Sequence, residues 1–137
     1  MELHAADVLL VTGLNYKQLD HALRTGVMRS RGGGQSGLPR RFGLYDLVAF
    51  ALLYNVLQAG IPARAVGSAL RFVQRVKSGQ SLEQLRNTLI WTDGRTARLL
   101  RMGQTVPKTH RAVSYMLDLE AALRRVQGRL TTHSHVG

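Results

Sequence analysis

Apolar positions in the first 76 residues recur at helical intervals and are punctuated by glycine. Val8 and Val11, three apart, predict a short helix over 5–11, with Asp7 in the first turn, where the helix dipole favours a carboxylate. Thr12-Gly13-Leu14 breaks it, and Gly13 can take a positive φ at no steric cost. Asn15 is a good N-cap for a second helix over 15–25, which turns Leu19, Ala22 and Leu23 inward and stops at Gly26. Helix, tight glycine turn, helix within about 20 residues is a helix-turn-helix pattern. Residues 27–42 are rich in glycine and arginine, with strand-like ends, and read as a hairpin or wing. Residues 44–59 form a strong helix ended by Gly60. Its apolar residues, from Leu47 to Leu57, cover nearly its whole circumference. Such a helix must be covered on more than one side, by a tightly docked C-terminal half or by a second subunit. Pro62 opens the next helix, which keeps Val66, Leu70, Val73 and Val76 on one stripe.

The pattern changes after Gln80. Ser81-Leu82-Glu83-Gln84 has capping-box spacing and starts a short helix. The runs 88–92 and 95–101 flank Asp93-Gly94, a type I′ hairpin signal. Residues 112–117 alternate, with Val113, Tyr115 and Leu117 on one face, and predict a third strand. Asp118 then caps a last helix through Leu130. One long helix from Arg111 is the alternative, because Met116, Leu119, Leu123, Val126 and Leu130 follow the steps of a coiled-coil seam. Residues 131–137 are expected to be a frayed, flexible tail. The fold class is therefore mainly α with small β elements. A winged helix-turn-helix domain is expected over 1–76 and a small α+β dimerisation module over 81–130.

Composition narrows the function. In 137 residues there are 19 Lys and Arg against 8 Asp and Glu, a formal charge of +11. A chain this basic attracts polyanions: DNA, RNA or an anionic membrane surface. Most of the charge is Arg, whose planar fork suits phosphate and guanine edges; incidental basicity from a GC-rich genome is the bland reading. Cysteine is absent, which excludes disulfides and thiolate metal sites. No signal-peptide pattern opens the chain, and its most apolar stretch, 44–59, is too short and polar to span a bilayer, so a cytoplasmic protein is expected. Gly32-Gly33-Gly34 lacks the strand-before, helix-after setting of a phosphate loop. Of the eight acidic residues, Asp7, Asp46 and Asp118 have helix-start roles and Asp93 a turn role, and His133 and His135 sit in the tail. No enzymatic activity, cofactor or metal site is expected.

The landmarks from Leu3 to about Phe72 resemble the MerR family of transcriptional regulators. They are Asp7-Val8, Val11-Thr12-Gly13-Leu14, Leu19 and Gly26-Val27-Met28, then Gly37 before Arg40-Arg41-Phe42, Asp46-Leu47, and Gly60-Ile61. Two positions depart from that pattern: Asp20 and His21 stand where the family has Arg and Tyr, and the glycine-rich wing is longer. The resemblance implies a winged DNA-binding domain, a recognition helix starting at Asn15, wing contacts at Arg40 and Arg41, and a homodimer. Family members often sense a ligand in the C-terminal half, where no sensor chemistry is visible, so an effector stays open.

A recognition helix reads base edges in the major groove with its first turn. Here that turn is Asn15, Tyr16, Lys17 and Gln18. The amides of Asn15 and Gln18 suit adenine, unless Asn15 is spent as the helix cap. Lys17 reaches guanine or phosphate, and Tyr16 a sugar or phosphate. His21 and Arg24 follow on the same helix, Arg24 as a phosphate contact. Arg29, Arg31, Arg40 and Arg41 line the loop, where glycines would let arginine follow the backbone or enter a minor groove. The expected partner is double-stranded DNA, bound sequence-specifically by a homodimeric transcription regulator. Two alternatives stand beside it: an excisionase-like DNA-bending factor of a mobile element, and a protein-interaction module of antitoxin or adaptor type.

Overall fold

The computed structural model describes residues 3–29, 41–76, 82–101, 103–109 and 111–136. Residues 30–40 of the expected wing, with Arg31 and Arg40, and the capping serine Ser81 lie outside those residues. The chain is α+β. Helices α1 (Ala5–Thr12), α2 (Tyr16–Arg24), α3 (Leu44–Gln58) and α4 (Gly67–Gln74) are followed by strands β1 (Thr88–Thr92), β2 (Ala97–Arg101) and β3 (Tyr115–Asp118) and by helix α5 (Leu119–Val136). Single 3-10 turns at Ala63–Val66 and Leu82–Leu85 precede α4 and β1. Pro62 was expected to open a longer helix; instead it leads into the first 3-10 turn, and α4 starts only at Gly67.

Local chemistry sets the helix ends. The His4 N–H donates to Asp7 Oδ2 at 2.9 Å, which satisfies one orphan donor at the start of α1. Gly13 ends α1 at φ +89, and its N–H donates to the Leu9 carbonyl. An isolated antiparallel bridge between Leu3 and Phe42 joins the stretch before α1 to the stretch before α3.

Helix α3 lies at the centre of the molecule. Every residue from Tyr45 to Leu53 is buried, because α1, α4 and α5 pack against it from different sides. The second cover demanded by its all-round apolar surface is thus α5 of the same chain. One continuous core cluster runs from Leu3 through Phe50, Leu70 and Ile90 to Val126. Phe42 and Phe50 meet edge to face, with ring centroids 5.6 Å apart at 82°, an arrangement that the ring quadrupoles favour.

Helix α5 is fastened to α1 and α3 by arginines. The Arg125 guanidinium stacks 4.4 Å from the Tyr54 ring centroid. Its Nη1 also donates to the Thr12 carbonyl at 3.2 Å, and Arg129 Nη1 to the Leu10 carbonyl at 3.4 Å. Both carbonyls belong to the last turn of α1, where carbonyls run out of helical N–H partners and the negative end of the helix dipole lies.

The three strands form an antiparallel sheet in the order β2-β1-β3. The strand-then-helix reading of the C-terminal segment holds: Asp118 Oδ1 accepts the Ala121 N–H at 3.1 Å. Three boundaries differ from expectation. Strand β3 starts at Tyr115, three residues late, and α5 extends to Val136 rather than ending at Leu130. The third difference is the hairpin turn. Thr92 pairs with Ala97, which leaves a loop of four residues, 93–96, instead of a two-residue type I′ turn. A type I′ turn needs positive φ at both central residues, and here Gly94 has it while Asp93 does not. Asp93 instead folds its carboxylate back onto the loop, with Oδ1 accepting the N–H groups of Arg95 and Thr96. That local alternative outcompetes the tighter turn.

Candidate nucleic-acid interface

Helix α2 carries the candidate surface, and both its ends are fixed. At the start, Asn15 Oδ1 accepts the Gln18 N–H at 2.8 Å while Gln18 Oε1 accepts the Asn15 N–H at 3.0 Å, a reciprocal capping box. At the other end Gly26 takes φ +79, and Met28 N–H donates to the Ala22 carbonyl. Arg71, from α4, donates through Nη1 to the Gly26 carbonyl at 3.0 Å and the Val27 carbonyl at 3.4 Å. Leu19 and Ala22 are the buried side of α2.

The capping box changes what the first turn can offer. A bidentate contact to adenine uses an amide oxygen and its nitrogen together. The side-chain oxygens of Asn15 and Gln18 already hold the helix start, so adenine reading by either would compete with the cap. Tyr16, 59% exposed, and the exposed Lys17 have no such commitment. Lys17, His21 and Arg24, spaced four and three apart, share the outward side of α2, and all three are exposed. Asp20 does not project beside them as a free anion. Its Oδ2 meets Arg24 Nε at 2.7 Å, and its side chain is the more buried partner. An exposed pair at this spacing stabilises by less than about 1 kcal/mol, so a phosphate can compete for Arg24.

A cleft of about 600 Å³ runs along α2. Its polar side brings together Asn15, Tyr16, Lys17, Gln18, His21 and Arg24, with Asp20 among them; its apolar floor is Leu53 and Leu57 of α3, with Ala63 of the 3-10 turn. Six of the ten residues singled out from sequence thus surround one cleft. Arg29 and Arg41 are exposed but do not line it.

Arg29 and Arg41 instead mark the two stems of the glycine-rich segment, and a buried network clamps both stems. The Arg29 N–H donates to Gln74 Oε1 at 2.9 Å, and Gln74 Nε2 donates to the Arg29 carbonyl at 2.7 Å. Gln74 Nε2 also donates to Asp46 Oδ1 at 2.9 Å, and Asp46 Oδ2 accepts the Gly43 N–H at 2.7 Å. Asp46 is 1% exposed and Gln74 7%. Sequence reasoning gave Asp46 a helix-start role only and missed Gln74 and Arg71. One signal was present: Gln74 stands four residues after Leu70, on the buried stripe of α4, where a polar side chain needs a partner.

Among the described residues, no group of three or more His, Asp or Glu could hold a metal ion, and no helix is long and apolar enough to cross a membrane. No family model matches the chain, and no curated protein is significantly similar to it.

Proposed function

We propose that the chain binds double-stranded DNA through α2, as a homodimer, and regulates transcription. The observation that carries this reading is the outward row Lys17, His21 and Arg24 on a helix held rigid at both ends beside an open cleft. A helix of ordinary diameter enters the major groove of B-DNA, and a fixed helix loses little freedom on entering it. The formal charge of +11 supplies the long-range attraction. Lys17 serves as the base-reading residue of the first turn, with Tyr16 beside it, while the Asn15–Gln18 box sets the helix start. Arg24 and His21 contact the backbone. Arg29, Arg31, Arg40 and Arg41 belong to a loop that follows the duplex away from α2, as the MerR resemblance implies, and the winged arrangement is part of this proposal.

Selection of bound sequences from a random duplex pool at near-physiological salt tests the reading. The expected product is one enriched palindromic motif, with half-sites one or more helical turns apart. Lys17→Ala should then relax preference at one base position, reducing discrimination there by roughly 1–3 kcal/mol. An equal loss on every sequence would move Lys17 to the backbone contacts. A pool that shows no enrichment at all would overturn the regulator reading.

A further inference from the structure

Next to the cleft beside α2 stand two further exposed cations that the sequence did not suggest, although neither lines the cleft itself. Ala63, which lines the cleft, belongs to the 3-10 turn Ala63–Val66, and the next residue of that turn is the exposed Arg64. The β1–β2 loop rests directly on the same turn: a Cβ placed on Gly94 would lie 3.6 Å from the Ala65 carbonyl oxygen. The exposed Arg95 follows Gly94. Helix α2, the 3-10 turn and the hairpin loop are therefore consecutive neighbours, and each carries exposed cations.

We infer that Arg64 and Arg95 form a second anchor for the phosphate backbone of the duplex held by α2. This rests on the DNA-binding reading above. Neither side chain makes a hydrogen bond or ion pair among the described residues, so both guanidinium groups face solvent uncommitted. The nearest carboxylate in sequence, Asp93, is committed elsewhere. It accepts the backbone N–H groups of Arg95 at 2.9 Å and Thr96 at 3.0 Å and the Thr109 hydroxyl at 2.9 Å. Hydrogen bonds from Thr96 and Arg95, and then from Thr109, hold its carboxyl well below the usual carboxylate range.

The loop is also built before any ligand arrives. Thr92 Oγ1 donates to the Thr96 carbonyl at 2.7 Å and accepts the Gly94 N–H at 3.0 Å. The Ser68 hydroxyl, on α4, lies 3.1 Å from the same Thr92 oxygen and pins the hairpin to the helix. A loop fixed by this many bonds spends little ordering entropy when its arginine meets a phosphate. Contacts of this kind place a duplex and set its register but carry no sequence information. The anchor therefore adds affinity and orientation, and leaves specificity to α2.

The test is fluorescence anisotropy on the selected duplex and on a scrambled duplex, between 50 and 200 mM salt, with Arg64→Ala/Arg95→Ala against the unaltered chain. Two lost phosphate contacts should flatten the slope of log K against log salt by about 2 and weaken binding roughly tenfold on both duplexes alike. Arg101→Ala is the control for net charge. It removes one charge, as Arg95→Gln does, from the far end of β2, about 13 Å from the start of that strand at four residues' rise, and should leave the slope unchanged. Circular dichroism checks folding, and Arg95→Gln alone, which keeps the stem's length, should give about half the slope change. If the double variant binds with the unaltered slope, or if Arg101→Ala flattens the slope as much as Arg95→Gln does, the second anchor is wrong while the role of α2 stands. If the unaltered chain binds neither duplex, the DNA-binding reading fails first and the anchor with it.

Discussion

Asp46→Ala is expected to lower the stability of the fold by roughly 2–4 kcal/mol, the cost of leaving two buried donors unsatisfied. One is the Gly43 N–H at the start of α3. The other is Gln74 Nε2, which also holds the Arg29 carbonyl. Alanine can accept neither bond, and at 1% exposure no water from the surface replaces the carboxylate. For a chain of this size the thermal midpoint should drop by roughly 10 °C, read by circular dichroism. Asp46→Asn is not a neutral control. One of its two polar atoms becomes a donor, and it would face Gln74 Nε2. Gln74 cannot turn over in response, because its oxygen and nitrogen already match the Arg29 N–H and carbonyl. An unchanged midpoint in the alanine variant would show that the clamp contributes nothing to the folded state. The same substitution should weaken DNA binding beyond its effect on folding, since it frees both stems of the glycine-rich segment.

Gly13→Val is the second large effect, expected at roughly 3 kcal/mol. Two costs combine. Gly13 sits at φ +89, where an L-residue is disfavoured by about 1–2 kcal/mol and a β-branched one by more. A Cβ there would also stand 3.1 Å from Tyr54 Cε2 and 3.3 Å from Arg125 Nη1. Those two groups form the stacked pair that joins α3 to α5, so neither moves without disturbing the other. Gly13→Ala already carries that Cβ, so it should show the backbone cost of about 1–2 kcal/mol together with the first contact, and the γ-methyls of Val add crowding against the same pair. Urea unfolding of the series Gly, Ala, Val should therefore show two descending steps. Equal stabilities for Ala and Val would show that Tyr54 and Arg125 leave room for the γ-methyls, and an Ala variant as stable as the unaltered chain would deny both the backbone cost and the close approach.

The elements built on local chemistry were readable from the sequence. Asn15 and Gly26 bracket α2, and the all-round apolar surface of α3 demanded a second cover. What the sequence left open was whether that cover is a partner or the same chain; the answer rests on Arg125 and Arg129 reaching α1 from more than 100 residues away. No periodicity encodes such a pairing. The same limit hid the Gln74–Asp46 clamp and the Arg71 cap on α2, which span 28 and 45 residues. The hairpin loop was misjudged for a different reason. Asp-Gly is compatible with two competing turns, and the choice depends on Thr92, Thr96 and Thr109, whose hydrogen bonds only the folded sheet brings together. Within the candidate site, Lys17, His21 and Arg24 were legible as a helix face. Arg64 was not, because it stands on a short 3-10 turn whose place beside the cleft is set by how α3 and α4 pack. Asn15 was readable as a helix cap and Gln18 as a polar first-turn residue, but their mutual bonding is a matter of side-chain geometry.

The central claim is that α2 and its basic surroundings hold a duplex by its phosphates. Titration of the unaltered chain against the selected duplex at several salt concentrations tests it most directly. With Arg24, Arg29, Arg31, Arg40, Arg41, Arg64 and Arg95 each displacing a counterion, log K should fall linearly with log salt at a slope of about −6 per protomer. Affinity that ignores salt over that range, or the lack of any duplex binding at the lowest salt, would contradict it.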